Sequence, residues 1–414
     1  MLLKLLDNEP FWGQHVGAIN SVMKSLFFLS LLVQTTMCYA QVPQEQPSSN
    51  SSFNSFELAQ PVVADSIQVE RLNEISIKSA KGSVLKKEIV ADEKKEYKSI
   101  KISSNKFMEK RKIASNQANS RSAAPLLQIE MDKEVALLKN SSPNSFEYYL
   151  SYYMAGNYNV AREDALKNAA RLAPTDADVL TQSMGNALAK NDAVSAKFYV
   201  EKLKNANLLS EEVLAYAMDL LLSSGENQVL ITHGFFDTYG VAYQQFLPDC
   251  PVQLTMISLE LLQSESYRNV ISEKGYNLPQ IKNIDSSYLL AFCQLNKDKN
   301  IALSMTLPKA YLSPLKESLY PVGLVFEYRP NKLSDGVSLL MRNELLWNQI
   351  LAKHNVIQFT SVESNNLASN YLPMLLYLKT MYELNDDKLK LAELVTALNF
   401  TAHKAGKLSL IKKQ

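Results

Sequence analysis

The chain reads as an α plus α/β protein, with helical-hairpin repeats first, a mostly parallel α/β sheet domain next and C-terminal helices last. Three observations predict this. Turn residues Gly156, Asn191 and Gly225 recur at intervals of 35 and 34 residues between helix-compatible segments, which is the period of stacked helical hairpins. Beyond 227, short β-branched apolar runs alternate with helix-length segments, the pattern of a sheet covered on both faces. After 339 the apolar runs lengthen again to helical size. The expected divisions are an upstream extension and signal peptide at 1–40, a disordered and basic linker at 41–140, repeats at 141–226, the α/β domain at 227–360 and a helical hairpin at 361–406.

The leader comes first. Met23 and Lys24 precede the apolar run from Leu26 to Val33, and Cys38, Tyr39 and Ala40 precede Gln41, the charged, hydrophobic and small-residue regions of a secretory signal. Since a signal normally begins a chain, translation starts at either Met1 or Met23. The run is too short to span a bilayer, and no later segment is long and apolar enough. The expected location is periplasmic or secreted. A net charge of +1 gives no global attraction to nucleic acid or acidic membranes, so a partner must be recognised locally. Cys250 and Cys293 remain beyond the leader; in an oxidising compartment they are either a bridge or two free core thiols.

From 41 to about 60 the chain is Gln, Pro, Ser and Asn, which cannot bury enough apolar surface to offset ordering entropy. Residues 86–112 then carry ten Lys and Arg against five acids with no sustained period. This stretch is either a solvated tether or an electrostatic attachment to an anionic envelope polymer.

Order resumes near Ser145. Residues 146–174 read as two amphipathic helices around Gly156 and Asn157, with Ala161 and Ala165 where the second helix packs and Pro174 as its stop. This resembles a tetratricopeptide repeat. A looser second repeat follows at 178–207, and a third keeps one helix at 211–223. Where its second helix is due stand Val229, Leu230 and Ile231, so the array runs into a strand. Stacked hairpins of this kind make a concave surface that holds a peptide or protein partner. Tyr149, Tyr152 and Tyr153 are the candidate partner-facing residues, with packing of the repeat's own seam as the commoner use of aromatics at this spacing.

Strands are expected at 229–232, 251–259, 300–307 and 322–328, with helices at 260–274, 285–295, 309–319, 339–354, 367–384 and 388–405. In an open α/β sheet, ligands sit at the carboxyl ends of strands. His233, Gly234, Asp237 and Thr238, just after the first strand, are therefore the candidate ligand-binding residues. Asp237 either caps the following helix or orients a ligand. His233 is either a satisfied histidine or half of an acid/base dyad with Asp237. Phe235 and Phe236 are an exposed contact or a plug over the core.

Two stretches within 227–330, VLITHGFFDTYGVAYQQFLPDCPVQLTMISLELLQSESY and NIALSMTLPKAYLSPLKESLYPVGLVFEYRP, resemble the soluble C-terminal region of bacterial relatives of transmembrane-protein-260-type protein O-mannosyltransferases. Gly234, Asp237 and Thr238 stand where that family has Gly, its second Asp and Thr, while Phe235 and Phe236 replace its first Asp and its Asn. The family's glycosyl transfer belongs to a multi-pass membrane part with no counterpart here. The resemblance thus implies a shared accessory domain without the shared reaction.

No nucleophile elbow, Walker loop or dinucleotide fingerprint occurs, and the histidines beyond the leader lie far apart with no cysteine spacing beside them. No catalytic residues, metal site or cofactor are assigned. The expected function is a non-enzymatic interaction or scaffold protein with a protein or peptide partner. The alternative is a glycan-binding or carbohydrate-active accessory protein that uses the 234–238 loop on a cell-envelope glycan.

Overall fold

The structure, a computed structural model, describes residues 82–117, 119–225, 227–331, 336–352 and 360–411. The expected signal at 23–40 and the first half of the expected linker lie outside the described residues.

The second half of the expected linker is helical. Helix α1 (Gly82–Ser115) and helix α2 (Pro125–Ser141) pack together, and Phe107 and Ala114 of α1 meet Met131 and Val135 of α2 in a buried cluster. That cluster continues into Leu150 and Met154 of α3 (Phe146–Met154). Met131, Val135 and Leu138 recur at i, i+4 and i+7, one narrow helical stripe. Flanking charges hide it from a compositional reading. Lys110 Nζ, 2.8 Å from Glu134 Oε1, ties the two helices at the edge of this cluster.

Hairpins follow. Helix α4 (Glu163–Leu172) packs on α3, and α5 (Ala177–Ala189) on α6 (Ala193–Asn205). Ser145, Asp176, Asp192 and Ser210 each accept a backbone N–H three residues on, caps that stabilise each start by about 1 kcal/mol. Helix α7 (Glu211–Ser223) finds its partner on the far side of a strand. Helix α8 (Gly234–Gln245) crosses it so closely that a Cβ on Gly240 would lie 2.9 Å from the Ala217 Cβ. The third hairpin is therefore completed after β1 (Val229–Thr232) rather than cut short by it, and hairpins and sheet share one core.

The sheet is mixed, correcting the mostly parallel expectation. Its order is β2-β1-β3-β5-β4, with β2 (Thr255–Ser258) and β3 (Ile301–Ser304) parallel to β1. Strands β4 (Leu319–Val322) and β5 (Val325–Tyr328) pair antiparallel, and β5 pairs antiparallel with β3. The expected strand at 322–328 is thus the second arm of a hairpin. Gly323, at φ +55, opens its two-residue turn, the left-handed position such turns require. The β2 edge is covered. On the β2 edge, the Tyr267 hydroxyl accepts from Ser258 N and donates to Met256 O, and Gln245 Nε2 donates to Leu254 O. These bonds occupy groups that would otherwise invite another strand.

Side chains alternate across the sheet, as the period of two dictates. Leu230, Ala302 and Val325 face α7, α8 and the C-terminal helices α12 (Gly336–Ala352), α14 (Leu372–Leu384) and α15 (Lys388–Lys404). Between α12 and α14 lies the short α13 (Val362–Ala368). Ile231, Leu303 and Phe326 face α9 (Glu265–Glu273), α10 (Ser286–Leu295) and the short α11 (Lys309–Leu312). Cys250 packs on the first side and Cys293 on the second, and both are free. Among the described residues no helix is long and apolar enough to cross a membrane.

Candidate functional site

The three parallel strands, in order β2-β1-β3, place a switch point between β1 and β3, since the chain leaves β1 toward β2 and then returns on the other side. Ligands of open α/β sheets sit at this kind of crevice. Here β1 ends in Thr232 and the extended His233, and Gly234 at φ +79 turns the chain into α8. Nothing lies within 4 Å of a Cβ built on Gly234, so the position requires glycine for its backbone and not for space.

Asp237 is not the helix cap. It lies one turn inside α8, 1 % exposed. Its Oδ2 accepts the hydroxyls of Ser304 at the end of β3 and of Thr306, each at 2.5 Å. Its Oδ1 makes no hydrogen bond among the described residues. Burial pushes the carboxyl up to about 6, against the two hydroxyl bonds that lower it. Thr238 is likewise turned inward, with Oγ1 3.0 Å from Thr232 Oγ1 and 3.3 Å from Ser258 Oγ. The Tyr216 hydroxyl of α7 is held well above its ordinary range by burial and by the Asp237 charge.

His233 points elsewhere, and of its two readings the satisfied histidine is the one that forms, not the dyad with Asp237. Its Nε2 lies 2.9 Å from Arg121 Nη1 and 3.4 Å from Glu260 Oε1. Facing a guanidinium donor, Nε2 acts as the acceptor, which puts the ring proton on Nδ1. Burial and Arg121 lower the His233 pKa against the pull of Glu260.

Arg121 and Glu260 are the members of this site that the sequence did not reveal. Arg121 sits in a strap between α1 and α2 that adds to the α/β region: Arg121 N donates to Ile284 O at 2.8 Å, and Ile284 N to Ser122 Oγ at 3.2 Å. The guanidinium is buried, 3.6 Å from Glu260 Oε1 and 6.0 Å from the Tyr311 ring centroid. A lone arginine in a Ser-rich segment carries no local signal of such a role.

The tyrosine candidates divide. Tyr153 is fully buried, its hydroxyl 3.2 Å from Asn186 Oδ1, and it is unavailable to a partner. Tyr149 and Tyr152 are half-buried. Tyr152 stacks on Tyr148 at 5.8 Å and carries the Arg162 guanidinium 4.5 Å above its ring.

Two concavities matter. A groove of about 300 Å³ runs between the α5–α6 turn and the β2 edge, with Leu188, Ala196, Phe246, Leu254, Met256 and Val270 among its walls. A smaller cavity of about 80 Å³ opens at the carboxyl edge of β1 and β2. Among the described residues no group of three or more His, Cys, Asp or Glu is placed to hold a metal. Compared with known proteins, the chain matches no family model, no curated protein and no solved structure. Fold and site together define a helical-hairpin array fused to a five-stranded mixed sheet with a polar switch point.

Proposed function

We propose that this chain is a non-enzymatic interaction protein of the periplasm or cell exterior, which holds a peptide segment of a partner in the groove between its second hairpin and the β2 edge. The groove carries this reading. Its volume of about 300 Å³ is at the lower bound of ligand sites, and its apolar walls with a few polar groups are the usual lining of such sites. Asn191, Asp192, Gln245, Gln253, Thr255 and Lys274 add the polar groups. Supporting it, the side chains of His233 and Asp237 bond different partners, so the two groups best placed for acid/base work do not form one pair. In this reading the tetratricopeptide-like hairpins and the accessory-type domain at 227–330 act as one platform.

A photo-cross-linking amino acid at Gln253 or Lys274 of the full chain, expressed with its own leader, tests the reading. One discrete adduct is expected from both positions, absent when the cross-linker is at exposed Leu389 and lost when Ala196→Trp fills the groove. Identical patterns from groove and control positions would overturn it.

A further inference from the structure

The small cavity at the carboxyl edge of β1 and β2 is built around an unusual residue. Asn157 and Tyr158, in the α3–α4 turn, are consecutive non-glycine residues in the left-handed region, at φ 50 and φ 61. For a residue as bulky as tyrosine this is an outlier costing roughly 1–3 kcal/mol, a form of strain that concentrates at functional sites. The backbone turn drives the Tyr158 ring toward the sheet, where α5 makes room for it. A Cβ on Gly185 would stand 2.4 Å from Tyr158 Cε1 and 2.9 Å from the Tyr239 hydroxyl. Burial raises the Tyr158 hydroxyl above its ordinary range, against Arg111 and the neighbouring Tyr239 and Gln182 side chains; Gln182 lies one turn before Gly185 on α5. The Gln182 Oε1 is buried and makes no hydrogen bond among the described residues. A strained tyrosine at the cavity wall is thus backed by a mid-helix glycine and, one turn earlier on the same helix, by a buried amide with an unbonded oxygen. Filling a core asks for none of these, since an aliphatic side chain in an ordinary turn would do it.

Tyr158 shares the cavity with Phe235 and Tyr239, whose rings meet edge to face at 5.1 Å. Thr181, Ser258 and Glu260 supply polar groups. Glu260 Oε2 has a long contact, 3.4 Å, to Ser258 Oγ, while Oε1 faces Arg121 and His233. Glu260, the charged residue of the lining, is paired with the Arg121 guanidinium behind it, so the surroundings select neither an anion nor a cation. A water needs ~10–15 Å³ of such space, so the cavity admits about six, the bulk of one six-membered ring with its hydroxyls. Aromatic walls suit the C–H faces of such a ring, and the carboxylate and hydroxyls suit its O–H groups.

We propose that this cavity binds a neutral, polyhydroxylated ligand of one-ring size, with Tyr158, Phe235 and Tyr239 as its walls and Glu260 as the principal acceptor. It is independent of the peptide groove, with which it shares no lining residue.

Saturation-transfer NMR on the full chain tests it, with D-mannose, D-galactose and myo-inositol as probes. Transfer to the ring protons of at least one probe is expected. Tyr158→Phe, which deletes a single hydroxyl, and Glu260→Gln should each weaken that probe roughly fivefold, the worth of one hydrogen bond. Circular dichroism should be unchanged in Tyr158→Phe, so that variant remains informative if Glu260→Gln does not fold. Absence of transfer to all three probes overturns the proposal, as does transfer that folded variants leave undiminished. Groove cross-linking should be the same in these variants, so the two readings fail separately.

Discussion

Ser304, the last residue of β3, donates its hydroxyl to Asp237 Oδ2 at 2.5 Å, tying the first turn after β1 to the end of the neighbouring parallel strand. This carboxyl is raised from 3.8 to about 6 by burial. A raised acid binds its proton more tightly in the folded chain than in the unfolded one, so its contribution to stability falls as pH rises from about 4 to about 6. Asp237→Asn keeps an acceptor for Ser304 and Thr306 and removes the titration. The stability of the variant relative to wild type should therefore increase across that window, by up to about 3 kcal/mol. Urea midpoints at both ends of the window check this, and a constant difference would count against it.

Glu327 shows the opposite behaviour. It is buried on β5, where burial alone would raise it. Arg342 Nη2 at 2.6 Å, Arg329 Nη2 at 2.7 Å and Asn227 Nδ2 at 3.1 Å outweigh burial and hold it below the usual carboxylate range. Its stabilisation is present above the unfolded pKa and lost as pH falls through the folded one. Glu327→Gln removes the carboxylate that Arg342 and Arg329 share and should cost about 3 kcal/mol at neutral pH. The loss should shrink under acid conditions, as read from thermal melts at several pH values.

At the β4–β5 turn, Gly323 combines a positive φ of 55 with a Cβ position 2.2 Å from Ser223 Oγ. That serine hydroxyl accepts Leu324 N–H at 2.9 Å and fastens the hairpin to α7. Gly323→Ala should destabilise by about 2–4 kcal/mol, from the left-handed backbone and the displaced serine together. A denaturant midpoint no lower than wild type would contradict that packing.

Cys250 and Cys293 lie on opposite sides of the sheet, and burial raises the Cys293 thiol far above its ordinary range. In the native chain a thiol reagent should label Cys250 well before Cys293, which should react after unfolding. Peptide mass mapping distinguishes the two, and a Cys250–Cys293 cross-linked peptide without reductant would refute the assignment.

How much of this was legible in the sequence depends on whether the signal is local. The turn residues Gly156 and Asn191, and the apolar run Val229–Ile231 of β1, announce themselves within a few residues. The β4–β5 hairpin did not, because residues up to 319 read as helix and 322–328 as one strand, while Pro321, a residue that argues against a strand, is tolerated where β4 forms an edge. The 34-residue spacing located two hairpins and the first helix of a third. It could not show that the partner of α7 waits until Gly234, since closing a hairpin across an inserted strand leaves no periodic trace. The candidate loop was found by its place after a strand, but the inward turn of Asp237 depends on Ser304 and Thr306, more than sixty residues away.

Arg121 and His233 offer the sharpest test of the strap. The guanidinium, 2.9 Å from His233 Nε2, opposes protonation of the imidazole, as burial does, while Glu260 favours it. Arg121→Ala removes one of the two depressing influences and leaves the carboxylate in place, so the His233 pKa should rise. The same change frees the carbonyls of Ser115 and Gln117 from their guanidinium partner. Hydrogen exchange of the Arg121 amide, which is bonded to Ile284 O, should accelerate as the strap loosens. NMR titration of the His233 ring protons measures the first effect and native-state exchange the second. If the His233 pKa stays where it is while strap exchange increases, the guanidinium holds the segment without governing the histidine. If neither moves, the strap is held by its backbone bonds to Ile284 alone.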